Sequence, residues 1–185
     1  MVLSVAGAKL KPFFIFWGNP DSSLLYKRIK DIPQFKNKEA YFSINKNGWM
    51  VRNIMNLYIE TVYLDYIIDT SGSKDYESML ILGSATIHLV DEEFNPFFKY
   101  NINEIYVPKG LTPVCQPLDM TINKLIKDEM KRQYLGWRTS LIDNINTKVT
   151  RQNVIDWLCN CWKSEKVVSC ELIKNLLSKQ VLLFL

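Results

Sequence analysis

The stretch SMLILGSATIHLVDEEF, residues 78–94, opens as a short apolar strand, SMLIL, and stops at Gly83 before a polar turn and a helical pattern. The same grammar continues beyond it, with a helix around EEFNPFFKYN, a second apolar run INEIYVP, a turn KGLTPVCQP and a long helix over 119–137. Strand, helix, strand, helix predicts an α/β sheet with parallel neighbours, because parallel strands need a crossover between them. Many α/β enzymes place reactive side chains at the end of such a strand, so a glycine there poses a question of function.

Upstream, VLSVAG and FFIFWG flank AKLKP, two β-rich runs around a turn, which predicts a hairpin. Residues 19–39, with Pro20, Pro33 and several lysines, read as an exposed excursion, and AYFSIN as a short strand. From Trp49 the pattern turns helical, with Met50, Ile54, Leu57, Ile59, Val62, Ile67 and Ile68 recurring at threes and fours until DTSGSKD ends it. The C-terminal part reads as two more helices. Thr150, three residues before Asn153, is the expected cap of the first, and Val154, Trp157, Leu158 and Cys161 its apolar stripe. Internal repeats and low-complexity tracts are absent.

With 185 residues, 48% hydrophobic and 23% charged, the chain is long enough for one globular domain with a proper core, which excludes a disordered class. A net charge of +4 permits a nucleic-acid partner without arguing for one, since that inference needs a clustered basic face. No apolar run approaches the roughly 18 residues of a membrane span, and the start lacks the layout of a signal peptide, so the expectation is an intracellular protein with no membrane partner. Cys115, Cys159, Cys161 and Cys170 are too few and too unevenly spaced for a disulfide framework. As a zinc site, the C-x-C pair with Cys170 has three sulfurs and no neighbouring fourth ligand, so reduced core thiols are expected.

Where the second strand meets the last turn, the sequence resembles a known family. LILGSATIHLVDEEF followed by INEIYVPKGLTPVCQPLDMTINKLIKDEMKRQYLGW is similar to the core of DDE-type transposases of the pogo and Tigger group, which includes centromere-protein-B and jerky-type host proteins. Ser84, Ala85, Thr86 and His88 match the turn after a strand that in the family ends in Asp. Pro108, Gly110, Leu111, Thr112, Gln116, Pro117, Leu118 and Asp119 match the later element leading into a basic helix. NGWM at 47–50 and the late VIDW and CW also resemble the family, and the likeness covers most of 1–175.

The resemblance implies an α/β, ribonuclease-H-like fold, a mixed sheet flanked by helices, in which three carboxylates hold two magnesium or manganese ions. Hard oxygen ligands suit those ions, and a metal pair about 3.5–4 Å apart stabilises both the attacking and leaving oxygens of a phosphodiester displacement. The family's second Asp falls on Gly83 and its third acid on Asp119, a separation of 36 positions (119 − 83). The first would sit on a strand upstream of Met1, so this chain is expected to lack that strand and to be N-terminally truncated. Of the triad, Asp119 is the acid left, as a metal ligand or as a helix cap after Pro117. Asp75, Glu77, Asp91, Glu92 and Glu93 lie near the strand, but acids at a helix start commonly satisfy backbone N–H groups. His88, the single histidine, is read as a hydrogen-bonded structural residue or as part of the old site. No resident cofactor is expected.

On the last long helix, Lys124, Lys127, Lys131 and Arg138 fall on one side, while Ile122, Ile126 and Met130 line another. That basic face is read either as a site for DNA phosphates, salt-sensitive and blind to sequence, or as a solvated face interrupted by Asp128 and Glu129. Trp49, Trp137, Trp157 and Trp162 are expected in helix packing rather than as base-stacking platforms. The expected organisation is an endonuclease-type domain over 1–140 with a helical extension over 141–185. The expected function is that of a transposon-derived DDE domain that binds nucleic acid, is catalytically inactive, and is nuclear or nucleocytoplasmic. The alternatives are a non-catalytic interaction or dimerisation scaffold, in keeping with a homo-oligomer, and a residual metal-dependent DNA endonuclease.

Overall fold

The computed structural model describes residues 3–4, 6–83, 96–108, 110, 121–141 and 146–181, which fall into two compact units, one over 10–112 and one formed by 2–9 with 113–185. In the first unit, strand β1 (Phe13–Trp17) is followed by helices α1 (Ser23–Lys30) and α2 (Pro33–Lys36) and strand β2 (Tyr41–Asn45). β1 and β2 pair in parallel, Phe13 opposite Tyr41 through Trp17 opposite Asn45. The hairpin expected for β1 is therefore replaced by a β-α-β crossover, and an isolated antiparallel bridge between Leu3 and Lys9 lies where its first strand was expected.

The supposed loop over 19–39 is the crossover itself. Ser22 caps α1, its Oγ accepting from the Leu25 amide at 3.4 Å, and Lys27, Arg28 and Lys30 complement the dipole at its end. Pro33 opens α2, where its missing N–H costs nothing. Phe35 of α2 then packs on one face of the sheet, with ring centroids 5.6 Å from Phe14 and 4.9 Å from Phe42. Two helices sit where loop chemistry predicted none because their apolar positions are few, and tertiary burial of Ile29 and Phe35 supplies what periodicity did not show.

The helix expected from Trp49 is continuous but irregular: α3 (Arg52–Tyr58), a π-helical turn (Ile59–Tyr63) and α4 (Leu64–Ser71), closed by Gly72 in the left-handed region at φ 76°. The π turn shifts the buried face by one residue, so Ile54, Tyr58 and Val62 are followed by Ile67 at a step of five. Ile68 and Leu57, both expected inward, are exposed. Trp49 is 74% exposed, against the packing role expected of it, because the chain turns just before the helix. Asn45 makes that turn, its Oδ1 accepting from the backbone of Asn47, Gly48 and Trp49, with Gly48 at φ 68°.

Strands β3 (Ser78–Gly83) and β4 (Ile102–Val107) form a second parallel pair, as the strand-helix-strand grammar predicted, with α5 (Pro96–Lys99) before β4. Tyr63 donates to the Met79 carbonyl at 3.4 Å and Phe13 meets Tyr58 edge-on at 5.7 Å, so the long helix touches both strand pairs. Leu80, Ile102 and Val107 are buried, whereas Met79, Ile81 and Ile105 are exposed.

In the second unit, α6 (Asn123–Thr139), α7 (Arg151–Lys163) and α8 (Cys170–Val181) surround a core of Ile122, Ile126, Cys161, Trp162, Val168 and Ile173. Each of the isoleucines and Val168 contributes roughly 1.5–3 kcal/mol by leaving water. The inward stripe of α7 is Ile155, Cys159 and Trp162 with Cys161; Val154, expected in it, faces out, because the stripe is offset by one residue from the spacing read in the sequence. Thr150 caps α7 as expected, in a reciprocal capping box with Asn153. Lys9 joins this unit through Glu165 at 2.9 Å and the Val168 carbonyl at 2.8 Å. Cys159, Cys161 and Cys170 form no disulfide, and no described helix is long and apolar enough to cross a membrane.

Candidate nucleic-acid interface

Helix α6 carries the basic residues singled out in the sequence. At 100° per residue, Lys124, Lys127, Lys131 and Arg138 fall within an arc of about 60° and extend over about 21 Å of helix. The three lysines are exposed and Arg138 is half-buried, its Nη1 donating to the Thr147 carbonyl at 3.4 Å. None of the three lysines is ion-paired with a described residue. The opposite side of the helix buries Ile122 and Ile126, with Met130 packed beside them, which fixes the basic stripe outward.

Of the two acids that interrupt the charge in sequence, Glu129 is turned off the stripe. Its carboxylate accepts from Arg132 Nε at 2.7 Å and from Gln133 Nε2 at 3.0 Å. Those bonds, the Arg132 bond foremost, hold its pKa below the ordinary carboxylate value. Glu129 and Arg132 thus neutralise each other beside the stripe, and Asp128 alone borders it on α6. Further along, Tyr134, Trp137 and Trp157 form a ring cluster with centroids 5.9–6.1 Å apart, in keeping with the packing role expected of the two tryptophans.

Gly83 is the last residue of β3, in register with Val107. Its backbone is ordinary extended strand, so no left-handed conformation demands a glycine there. His88 and Asp119, together with 84–95 and 111–120, lie outside the described residues. Among the described residues no three His, Cys, Asp or Glu side chains come together to hold an ion. With no side-chain oxygen at Gly83, the described donors do not fit a two-metal site, and no step through a metal follows from them. Sequence reasoning missed a groove in the first unit, between α1, α2 and β2. Its signal was the cap and the cations of 22–38, read as loop.

The DDE superfamily endonuclease family matches residues 4–176. The chain therefore belongs to that family, whose ancestral chemistry uses divalent metals. Two curated relatives, the human and mouse proteins called Pogo transposable element with KRAB domain, are each 26% identical over 144 residues, covering 71% of this chain and 23% of the relative. This chain thus spans about a quarter of the length of the curated relatives it matches. No solved structure matches it.

Proposed function

We propose that this is a transposon-derived DDE domain, ribonuclease-H-like in ancestry, that grips the phosphate backbone of DNA without cutting it. The observation that carries the reading is the outward stripe of Lys124, Lys127, Lys131 and Arg138 on α6, with Glu129 neutralised by Arg132. A linear array of cations on a rigid helix favours a polyanion through counterion release and reads no base sequence. Gly83 supports the absence of cleavage, because the position that corresponds to a carboxylate in the family has no side chain to bind an ion. A nuclear or nucleocytoplasmic location goes with a DNA partner.

Incubation with supercoiled plasmid and manganese tests both halves together. The reading expects a retarded, intact plasmid, and nicking above background that disappears in Asp119→Ala would overturn it. A second reading, a dimerisation scaffold, is favoured by the exposed Met79, Ile81 and Ile105 on one face of β3 and β4. It expects a defined oligomer with no DNA affinity at low salt.

A further inference from the structure

Among the described residues, strand β2 has one strand neighbour, β1. The Tyr41 amide donates to the Pro12 carbonyl and the Gly18 amide to the Asn45 carbonyl, each at 2.9 Å. This register turns the backbone groups of Tyr41, Ser43 and Asn45 toward β1 and those of Phe42 and Ile44 toward the other side. No further strand is paired there among the described residues. Instead a groove of about 400 Å³ follows that edge, lined by consecutive residues 40–44.

The chemistry of the groove is mixed. Tyr26 and Lys30, one turn apart on α1, form one wall, Phe35 and Phe42 meet in it, and Leu57 stands on the far side. No acidic side chain lines it, and Lys27 and Arg28 are exposed on the same helix. Acids stand at its rim: Asp31 and Glu39, both exposed, adjoin Lys30 and Ala40 in the chain, and Asp65 accepts from Tyr41 Oη at 3.2 Å.

We propose that the open edge of β2 is a docking site for an extended peptide strand of a partner protein, one with apolar side chains and an acidic residue within reach of Lys30. Strand addition satisfies the outward amides and carbonyls of Phe42 and Ile44, while the aromatic wall takes alternate side chains. Lys30, the one charged residue of the lining, favours an acidic over a basic residue beside it. A nucleic-acid strand would find the cations and rings, but its sugar–phosphate chain does not reproduce the alternating donors and acceptors of a strand edge. The site lies in a different unit from the basic stripe of α6 and stands independently of the DNA reading.

The test uses the full chain and a fluorescein-labelled peptide of alternating valine and aspartate, read by anisotropy, with a valine–lysine peptide and oligothymidylate as comparators. Saturable binding of the acidic peptide is expected, weakened about three- to ten-fold by Lys30→Glu. N-methylation of the peptide amides that face β2 is expected to weaken it about ten-fold or more. Hydrogen exchange at the Phe42 and Ile44 amides should slow on binding. Absence of saturable binding, equal or tighter binding of the basic peptide or of oligothymidylate, or indifference to N-methylation would overturn the proposal. Binding of duplex DNA, which rests on the stripe of α6, is expected to be unchanged by Lys30→Glu, so failure of the peptide site and failure of the DNA reading are distinguishable.

Discussion

Gly83 stands opposite Val107 at the last register position of the parallel pair β3 and β4, at the carboxyl end of both strands. Ligands of open α/β sheets gather at strand carboxyl ends, so a side chain at 83 would be placed where chemistry is done. The backbone there is extended strand, so no left-handed turn calls for the glycine.

Gly83→Asp is accordingly expected to fold, with a stability change within about 1 kcal/mol, since an extended position gains a side chain of low strand propensity. Supercoiled plasmid with manganese should remain uncut by this variant, because one added carboxylate does not complete a set of three. Nicking by the single variant would show that the other carboxylates are already assembled.

Tyr58 is 5% exposed, and its hydroxyl meets no hydrogen-bond partner among the described residues. Tyr58→Phe should therefore be neutral or stabilising, by about 1 kcal/mol, in urea unfolding. Burial, with a smaller push from Tyr63, raises the phenol pKa in the folded state. The sign follows from linkage: the neutral form is favoured when folded, so this contribution is intact below the unfolded tyrosine value near ~10 and declines as pH rises beyond it. The alkaline decline should be shallower in Tyr58→Phe, and an equal decline in both proteins would place the effect elsewhere.

The capping box of α7 predicts that Thr150→Ala costs about 1 kcal/mol, whereas Thr150→Ser costs little, because the Thr150 Oγ1 accepts from the Asn153 amide at 3.2 Å. Equal losses in the two variants would show that the hydroxyl is not the capping group.

What could be read in advance follows local chemistry. The β3 and β4 pair, the cap at Thr150 and the inward Ile122 and Ile126 all rest on signals a few residues long, and each is present. The partner of β1 was not legible, because FFIFW pairs equally well in either direction, and the choice lies in helices α1 and α2, whose short sequences carry few apolar positions. The offset of the long helix after Val62 was hidden for a different reason: a π turn adds one residue to a spacing that a periodic reading assumes constant. The stripe on α6 was visible as spacing, but only the structure turns Glu129 away from it and onto Arg132.

The salt dependence of duplex DNA affinity measures the central claim most directly. If Lys124, Lys127, Lys131 and Arg138 each neutralise a phosphate, the logarithm of the binding constant should fall with the logarithm of salt concentration at a slope of about −3 to −4. Lys127→Ala should make that slope shallower by about 1, with affinity reduced alike on unrelated sequences. No affinity at low salt, or a slope unchanged by removing a stripe lysine, would contradict the account, and a defined oligomer in place of DNA binding would leave the scaffold reading standing.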